Sequence, residues 1–217
     1  ATCALALARS VRGLKFALLG RTGLVDDPAW ARGIADEAGL KKACLDDAKK
    51  TGKAIGLKDV GNVVADVLAA REVKAVVDEL RGLGDADVFA CDVKDAGRVA
   101  AALDVVRARF GGAIACVVHG AGVLADKRIE DKTRDQLDRV IDTKVKGLQA
   151  LLASTAQDPL KALVAFSSVA GRFGNVGQVD YAMANEARMR LLLREKNGLP
   201  SVVVKLLHAR PWEGGMV

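Results

Sequence analysis

Apolar residues recur along this chain in two rhythms. Short apolar runs of strand length stand at Lys15–Leu19, Ala86–Val93, Ile114–Val118, Leu163–Phe166 and Ser201–Leu207. Between them lie stretches in which apolar residues return every three or four positions: 3–10, Ala96–Arg109, Thr133–Thr155 and a segment opening at Tyr181. The first rhythm predicts buried strands and the second amphipathic helices. Alternation of the two predicts an α/β fold, a parallel sheet with helices on both faces. The segment from about Asp26 to Leu83 is longer than an ordinary strand-to-helix link and helical in pattern. Val60, Val63, Val64, Val67 and Leu68 share one face, and Val73, Val76, Val77 and Leu80 another. The phase slip between them, near Arg71, predicts a kink or short break. A helical insertion over about 26–75 is expected, structural rather than catalytic, within a single domain spanning 1–217.

The helix predicted over Thr133–Thr155 carries the first chemical signal. Leu137, Val140, Ile141, Leu148, Leu151 and Leu152 make its apolar face. Lys144, three after Ile141 and four before Leu148, falls on that face, whereas Lys146 does not. A lysine facing inward needs a partner.

Composition narrows the classes. With 217 residues, 51% of them hydrophobic, there is material for one sizeable core, and no apolar run approaches the roughly 20 residues of a membrane helix. Cys3, Cys44, Cys91 and Cys116 are scattered and there are only two histidines. Neither a metal site nor a disulfide framework is suggested, and a reducing, cytoplasmic setting is the simpler inference. The net charge of +6 is spread among acidic residues without interleaved aromatics, which argues against a nucleic-acid surface. It suits a phosphorylated cofactor and an acidic protein partner.

The stretch FSSVAGRFGNVGQVDYAMAN, Phe166 to Asn185, joins a strand end, a glycine-rich loop and a helix start. Open α/β sheets place their ligands at such strand ends. Together with LLGRT, VVHGAGVLADK, KVKGLQALL and PWEGGMV, in that order around it, this stretch resembles the short-chain dehydrogenase/reductases. Ordinary members have a lysine one turn after the tyrosine. Here that position is Asn185, and Lys144 stands in the preceding helix. The exchanged pair is similar to the ketoreductase domains of polyketide and polyunsaturated fatty acid synthases, over most of the chain outside 26–75. The resemblance implies a Rossmann-like doubly wound sheet. It also implies a first strand and glycine-rich phosphate loop ahead of residue 1, and a substrate lid after residue 217.

It further implies reduction of a 3-ketoacyl thioester to the (3R)-hydroxyacyl form, using NADPH. The substrate would be held by phosphopantetheine on an acyl carrier protein beside neighbouring synthase domains. No side chain can donate a hydride, so a nicotinamide is required in any case. The implied catalytic residues are Ser168, Tyr181, Lys144 and Asn185. Tyr181 would be the acid. A phenol ionises near pH 10, about three units too high, and a neighbouring ammonium lowers that value. Lys144 is the candidate, and in the family the lysine also contacts the nicotinamide ribose. Ser168, rather than its neighbour Ser167, would bond the carbonyl oxygen, and Asn185 would orient a water or the lysine. The implied cofactor residues are Arg21 and Thr22 after the second strand, with Arg21 on the 2′-phosphate; Asp92 and Val93; Gly120, Ala121 and Gly122; Lys144; Tyr181; and Pro211. His119 is expected to be structural. Leu124-Ala125-Asp126 resembles the Leu-x-Asp signature of reductases giving the R alcohol, and Phe173 replaces the tryptophan of the opposite class. His208-Ala-Arg-Pro-Trp212 departs from the family's Trp-Gly-Pro-Trp, although Pro211 and Trp212 remain. Two other readings stay open: a free-standing reductase of a small ketone, and a ketoreductase-like module that only supports a synthase.

Overall fold

A computed structural model of the chain describes residues 2–198 and 203–208. Its residues fall into two compact units, one of 2–18 and 22–89, the other of Leu19–Arg21 with the described residues from Ala90 onward.

The first unit is mostly helical. Helix α1 (Thr2–Ser10) leads to strand β1 (Lys15–Gly20); then come α2 (Glu37–Lys50), α3 (Leu57–Leu83) and β2 (Asp85–Ala90), which pairs with β1. Asp36 caps α2 by accepting from the Gly39 amide at 2.7 Å. The short break allowed for near Arg71 is absent: α3 runs unbroken for 27 residues. The phase slip has another cause, because the two halves of α3 serve two cores. Val60, Val64 and Val67 pack with Ala31, Leu40 and Cys44, whereas Val76 and Leu80 pack with Ala8, Ala86, Phe16 and Leu18. One continuous helix accommodates the change of partner. Val73 is exposed, and Arg71 spans the junction as a clamp. Its guanidinium holds both Asp27 oxygens and the carbonyls of Ala31 and Ile34, and this holds the Asp27 carboxyl below its usual range.

The second unit carries strands β3 (Cys116–His119), β4 (Ala162–Ser167) and β5 (Val203–His208), parallel and in that order, with Val117 opposite Leu163 and Ala165 opposite Leu206. Parallel strands need crossovers. Helix α4 (Ala96–Phe110) precedes β3; the crossovers are a helical stretch made of α5 (Arg134–Ile141), a π-helical turn (Asp142–Lys146) and α6 (Gly147–Ser154), then α7 (Ala170–Phe173) and α8 (Val179–Gly198). Asp95 caps α4 and Gly111, at φ 67°, ends it in the left-handed conformation that glycine adopts freely. Leu163, Ala165 and Ser167 alternate inward along β4, so the strand delivers Ser168 at its exit. Two features were not legible in the periodicity. The helix expected over Thr133–Thr155 contains the π turn, and the glycine-rich loop contains α7. Among the described residues no helix is long and apolar enough to cross a membrane.

Candidate active site

Helix α8 opens two residues before Tyr181 and places Tyr181, Asn185 and Arg188 on one face, since they are four and three residues apart. All three are buried. Facing them is the π turn of residues 142–146. One extra residue in that turn shifts the phase of the helix, the way such bulges commonly re-aim a functional side chain. Lys144 points inward with 3% exposure, while Lys146 points outward and pairs with Asp142 at 2.8 Å. The Lys144 ammonium lies 4.7 Å from the centre of the Tyr181 ring, within the range of a cation–π contact. Burial, and then the charge of Arg188, push its pKa down to about 7. Gly122 backs onto it: a Cβ there would stand 2.9 Å from Nζ, so only glycine leaves the ammonium its place.

Asn185 is fully engaged. Its Nδ2 donates to the Tyr181 carbonyl at 2.8 Å, and its Oδ1 accepts from Arg188 at 3.0 Å and from the Ser167 hydroxyl at 3.4 Å. The amide therefore braces α8 against β4, and none of these bonds reaches Lys144. Ser167 is spent behind the site. Ser168, half-exposed, accepts from the Ala170 amide at 3.2 Å, and its own hydrogen has no acceptor among the described residues. His119 is structural, with Nε2 3.1 Å from the Lys144 carbonyl, and burial followed by the charge of Arg188 pushes its pKa down to about 4, so it is neutral at physiological pH.

Arg188 was not anticipated. It is 0% exposed, Nε and Nη1 have no hydrogen-bond partner among the described residues, and burial drives its pKa down to about 10. The signal that exposed Lys144 would have found it, because Arg188 shares the inward face of Tyr181 and Asn185. Lys132 and Asp180 were also missed; they form a buried ion pair at 2.8 Å.

The family model of the KR domain matches residues 56–211. The chain belongs to the ketoreductase domain family. Over 222 aligned residues it is 40% identical to a polyunsaturated fatty acid synthase polypeptide of Thraustochytrium sp., covering 99% of this chain and 8% of that protein. It is 40% identical over 131 residues to the pikromycin polyketide synthase component PikAII of Streptomyces venezuelae, covering 58% of this chain and 4% of that one. The ketoreductase domain thus spans a small part of the curated relatives it matches. An N-terminal ketoreductase from the macrolactin assembly line superposes with a TM-score of 0.65 at 23% identity, over 93% of this chain and 32% of that one. An alcohol dehydrogenase from the archaeon Thermococcus sibiricus, complexed with 5-hydroxy-NADP, gives 0.61 at 18%, over 94% and 69%. These likenesses show a Rossmann-like fold.

Around this core the ketoreductase domain places the other expected residues with varying closeness. The Cys91 amide donates to the Gly20 carbonyl at 2.7 Å, so exposed Arg21 and the half-buried Asp92 each follow one partner of that bond. Asp92 accepts from the Lys94 amide. Thr22 is exposed, and Val93 packs where Gly147 leaves room. Gly120, Ala121 and Gly122 follow β3 directly. Asp126 is held by Gln178 at 2.8 Å, whereas Leu124 and Phe173 project into solvent, Phe173 at 85% exposure. Pro211 and Trp212 lie outside the described residues.

Proposed function

We propose that this domain reduces the 3-oxo group of an acyl thioester, carried on the phosphopantetheine of an acyl carrier protein, to the (3R)-hydroxyacyl thioester with NADPH. The observation that carries the reading is the Lys144 ammonium held 4.7 Å from the Tyr181 ring, with no hydrogen bond to a described residue. A buried cation is costly unless something else uses it.

The residues present fit a nicotinamide dinucleotide. Gly122 keeps side-chain bulk away from Lys144, Gly120 and Ala121 offer backbone at the end of β3, and Arg21 and Asp92 follow the bonded pair Gly20 and Cys91. Arg21, Asp92, Val93, the 120–122 loop, Lys144 and Tyr181 would hold it. Arginine there favours a 2′-phosphate, hence NADPH. When bound, the nicotinamide supplies the hydride that no side chain can.

The protein's own share is a proton and a place for charge. The Ser168 hydroxyl donates to the substrate oxygen and stabilises the charge that grows on it. The Tyr181 O–H bond breaks toward that oxygen, leaving a phenolate faced by the Lys144 ammonium. A lysine with a pKa of about 7 is populated in both forms at neutral pH, so it can hand on the proton that restores the phenol. Asn185 is a positioning residue, because its amide fixes the first turns of α8 and so the direction of the Tyr181 ring.

The test is NADPH oxidation by the full-length protein with a 3-oxoacyl thioester, with the product's configuration determined. Tyr181→Phe keeps the ring and its packing, and it should lower kcat by about a thousandfold or more with Tm within a few degrees of wild type. Undiminished turnover in that variant would remove Tyr181 as the acid.

A further inference from the structure

Lys132 and Asp180 take no part in the chemistry above, yet they are the most deeply buried ion pair among the described residues, with side chains 3% and 0% exposed and Nζ 2.8 Å from Oδ2. Each partner makes a second bond. Nζ also donates to the Ala125 carbonyl at 2.6 Å, and Asp180 Oδ1 accepts from the Tyr181 amide at 2.9 Å. One charge pair therefore links the middle of the Leu124–Ala125–Asp126 loop to the backbone of the proposed acid. Two further links tie the same segments. Gln178 donates to Asp126 at 2.8 Å, and the Lys127 amide donates to the carbonyl of Gly177 at 2.9 Å, where the backbone turns at φ 78°.

Neither end of the pair can drift. Lys132 immediately precedes Thr133, the N-cap of α5, whose hydroxyl accepts from the Gln136 amide while the Gln136 side chain accepts from the Thr133 amide. Asp180 sits in the first turn of α8, where the helix dipole favours a carboxylate. Stability alone does not explain the arrangement. Buried ion pairs roughly break even against apolar residues of similar size, and their best-attested use is to fix register.

We propose that the Lys132–Asp180 pair is a positioning device that locks the Leu124–Asp126 loop to the Tyr181 helix, and so fixes which face of the substrate carbonyl is presented to the reaction. This rests on the ketoreductase reading above. The ammonium sets the height of Ala125 and, through its neighbours, of Leu124 and Asp126. The carboxylate sets the start of α8 and hence Tyr181. A substrate carbonyl seated between them inherits their relative placement.

The experiment uses the full-length protein and reads kcat, KM for the thioester, Tm and the ratio of 3-hydroxy enantiomers by chiral chromatography. Asp180→Asn and Lys132→Met each strand a buried group and should lower Tm. The double variant Lys132→Met/Asp180→Asn removes both charges and should recover most of that Tm. Even so, its kcat/KM should stay down by about tenfold, because small misplacements cost that much or more, and the minor enantiomer should rise several-fold. Lys132→Arg keeps the charge but moves its donors, and should alter the ratio at near-wild-type Tm; it carries the test if the double variant does not fold. An unchanged enantiomer ratio and kcat/KM in a folded double variant, or an unchanged ratio in Lys132→Arg, would overturn the proposal and leave the pair purely structural. A wild-type protein that never oxidises NADPH would instead remove the ketoreductase reading, and this inference with it.

Discussion

The helical region around α3 and the region around Tyr181 bury the same kinds of surface by opposite rules. In the first, Ala31, Leu40, Cys44, Val60, Val64 and Val67 close on one another, and the charges stay at the edge, as with the half-exposed Arg71–Asp27 pair. In the second, Tyr181, Val140, Ala170 and Ala184 share the interior with Lys144, Asn185, Arg188, Asp180 and His119. The first arrangement is what stability asks of a sequence. The second gives up stability: Lys144 is held at a pKa of about 7 and Arg188 has two nitrogens without hydrogen-bond partners among the described residues. Real proteins break the rules of burial at functional sites and compensate elsewhere, and the contrast between these regions fits the chemistry proposed around Tyr181.

The comparison can be broken most sharply at Lys144. Lys144→Met should lower kcat by about a hundredfold and weaken NADPH binding, since the charge facing the phenol and a cofactor contact are lost together. Its effect on stability should have the opposite sign. In the unfolded chain this lysine keeps its proton up to about pH 10.5, the ordinary lysine value, whereas the folded chain releases it near 7. Between those values the unfolded state holds one more proton, so wild-type stability rises with pH; below 7 the burial cost is present in full. Urea unfolding at pH 6, 8 and 10 should find the variant more stable than wild type at pH 6, with the advantage shrinking toward pH 10. A variant less stable at pH 6 would contradict the uncompensated cation.

The apolar region should respond in the reverse way. Leu40→Ala, at a fully buried position, should cost about 3 kcal/mol of stability and leave kcat unchanged, as read by denaturant midpoints beside NADPH turnover at a permissive temperature. A drop in kcat with the fold intact would show that the helical region does more than support. Arg188→Met sharpens the contrast further. Removing a buried charge with unpaired donors should leave stability unchanged or raise it by about 1 kcal/mol. It should also move the Lys144-dependent limb of the pH–rate profile to higher pH, because the like charge that depresses Lys144 is gone. A large fall in Tm would mean that the guanidinium has a structural acceptor.

Much of this was legible in the sequence. The alternation of apolar runs placed the described strands to within a few residues, because strand burial depends on local hydrophobicity. Lys144 stood out because a charge on an apolar face contradicts its surroundings, and Arg188 carried the same signal unnoticed. Ser168, Tyr181 and Asn185 became candidates through the resemblance of that loop and helix start to the short-chain dehydrogenase/reductases.

What required the tertiary structure was everything that depends on which face meets which. Periodicity registered the slip in α3 but not its cause, since one continuous helix serving two cores reads as a break when partners are unknown. The π turn that aims Lys144 leaves no mark in composition, being a one-residue shift paid back within a single helix. The bond of Asn185 to Ser167 and the pair of Lys132 and Asp180 join residues 18 and 48 positions apart. Sequence determined which residue types stand at the strand ends and helix starts, because those are local choices. Only the packed chain decided which of them share a buried volume, because burial and charge act through distance in space.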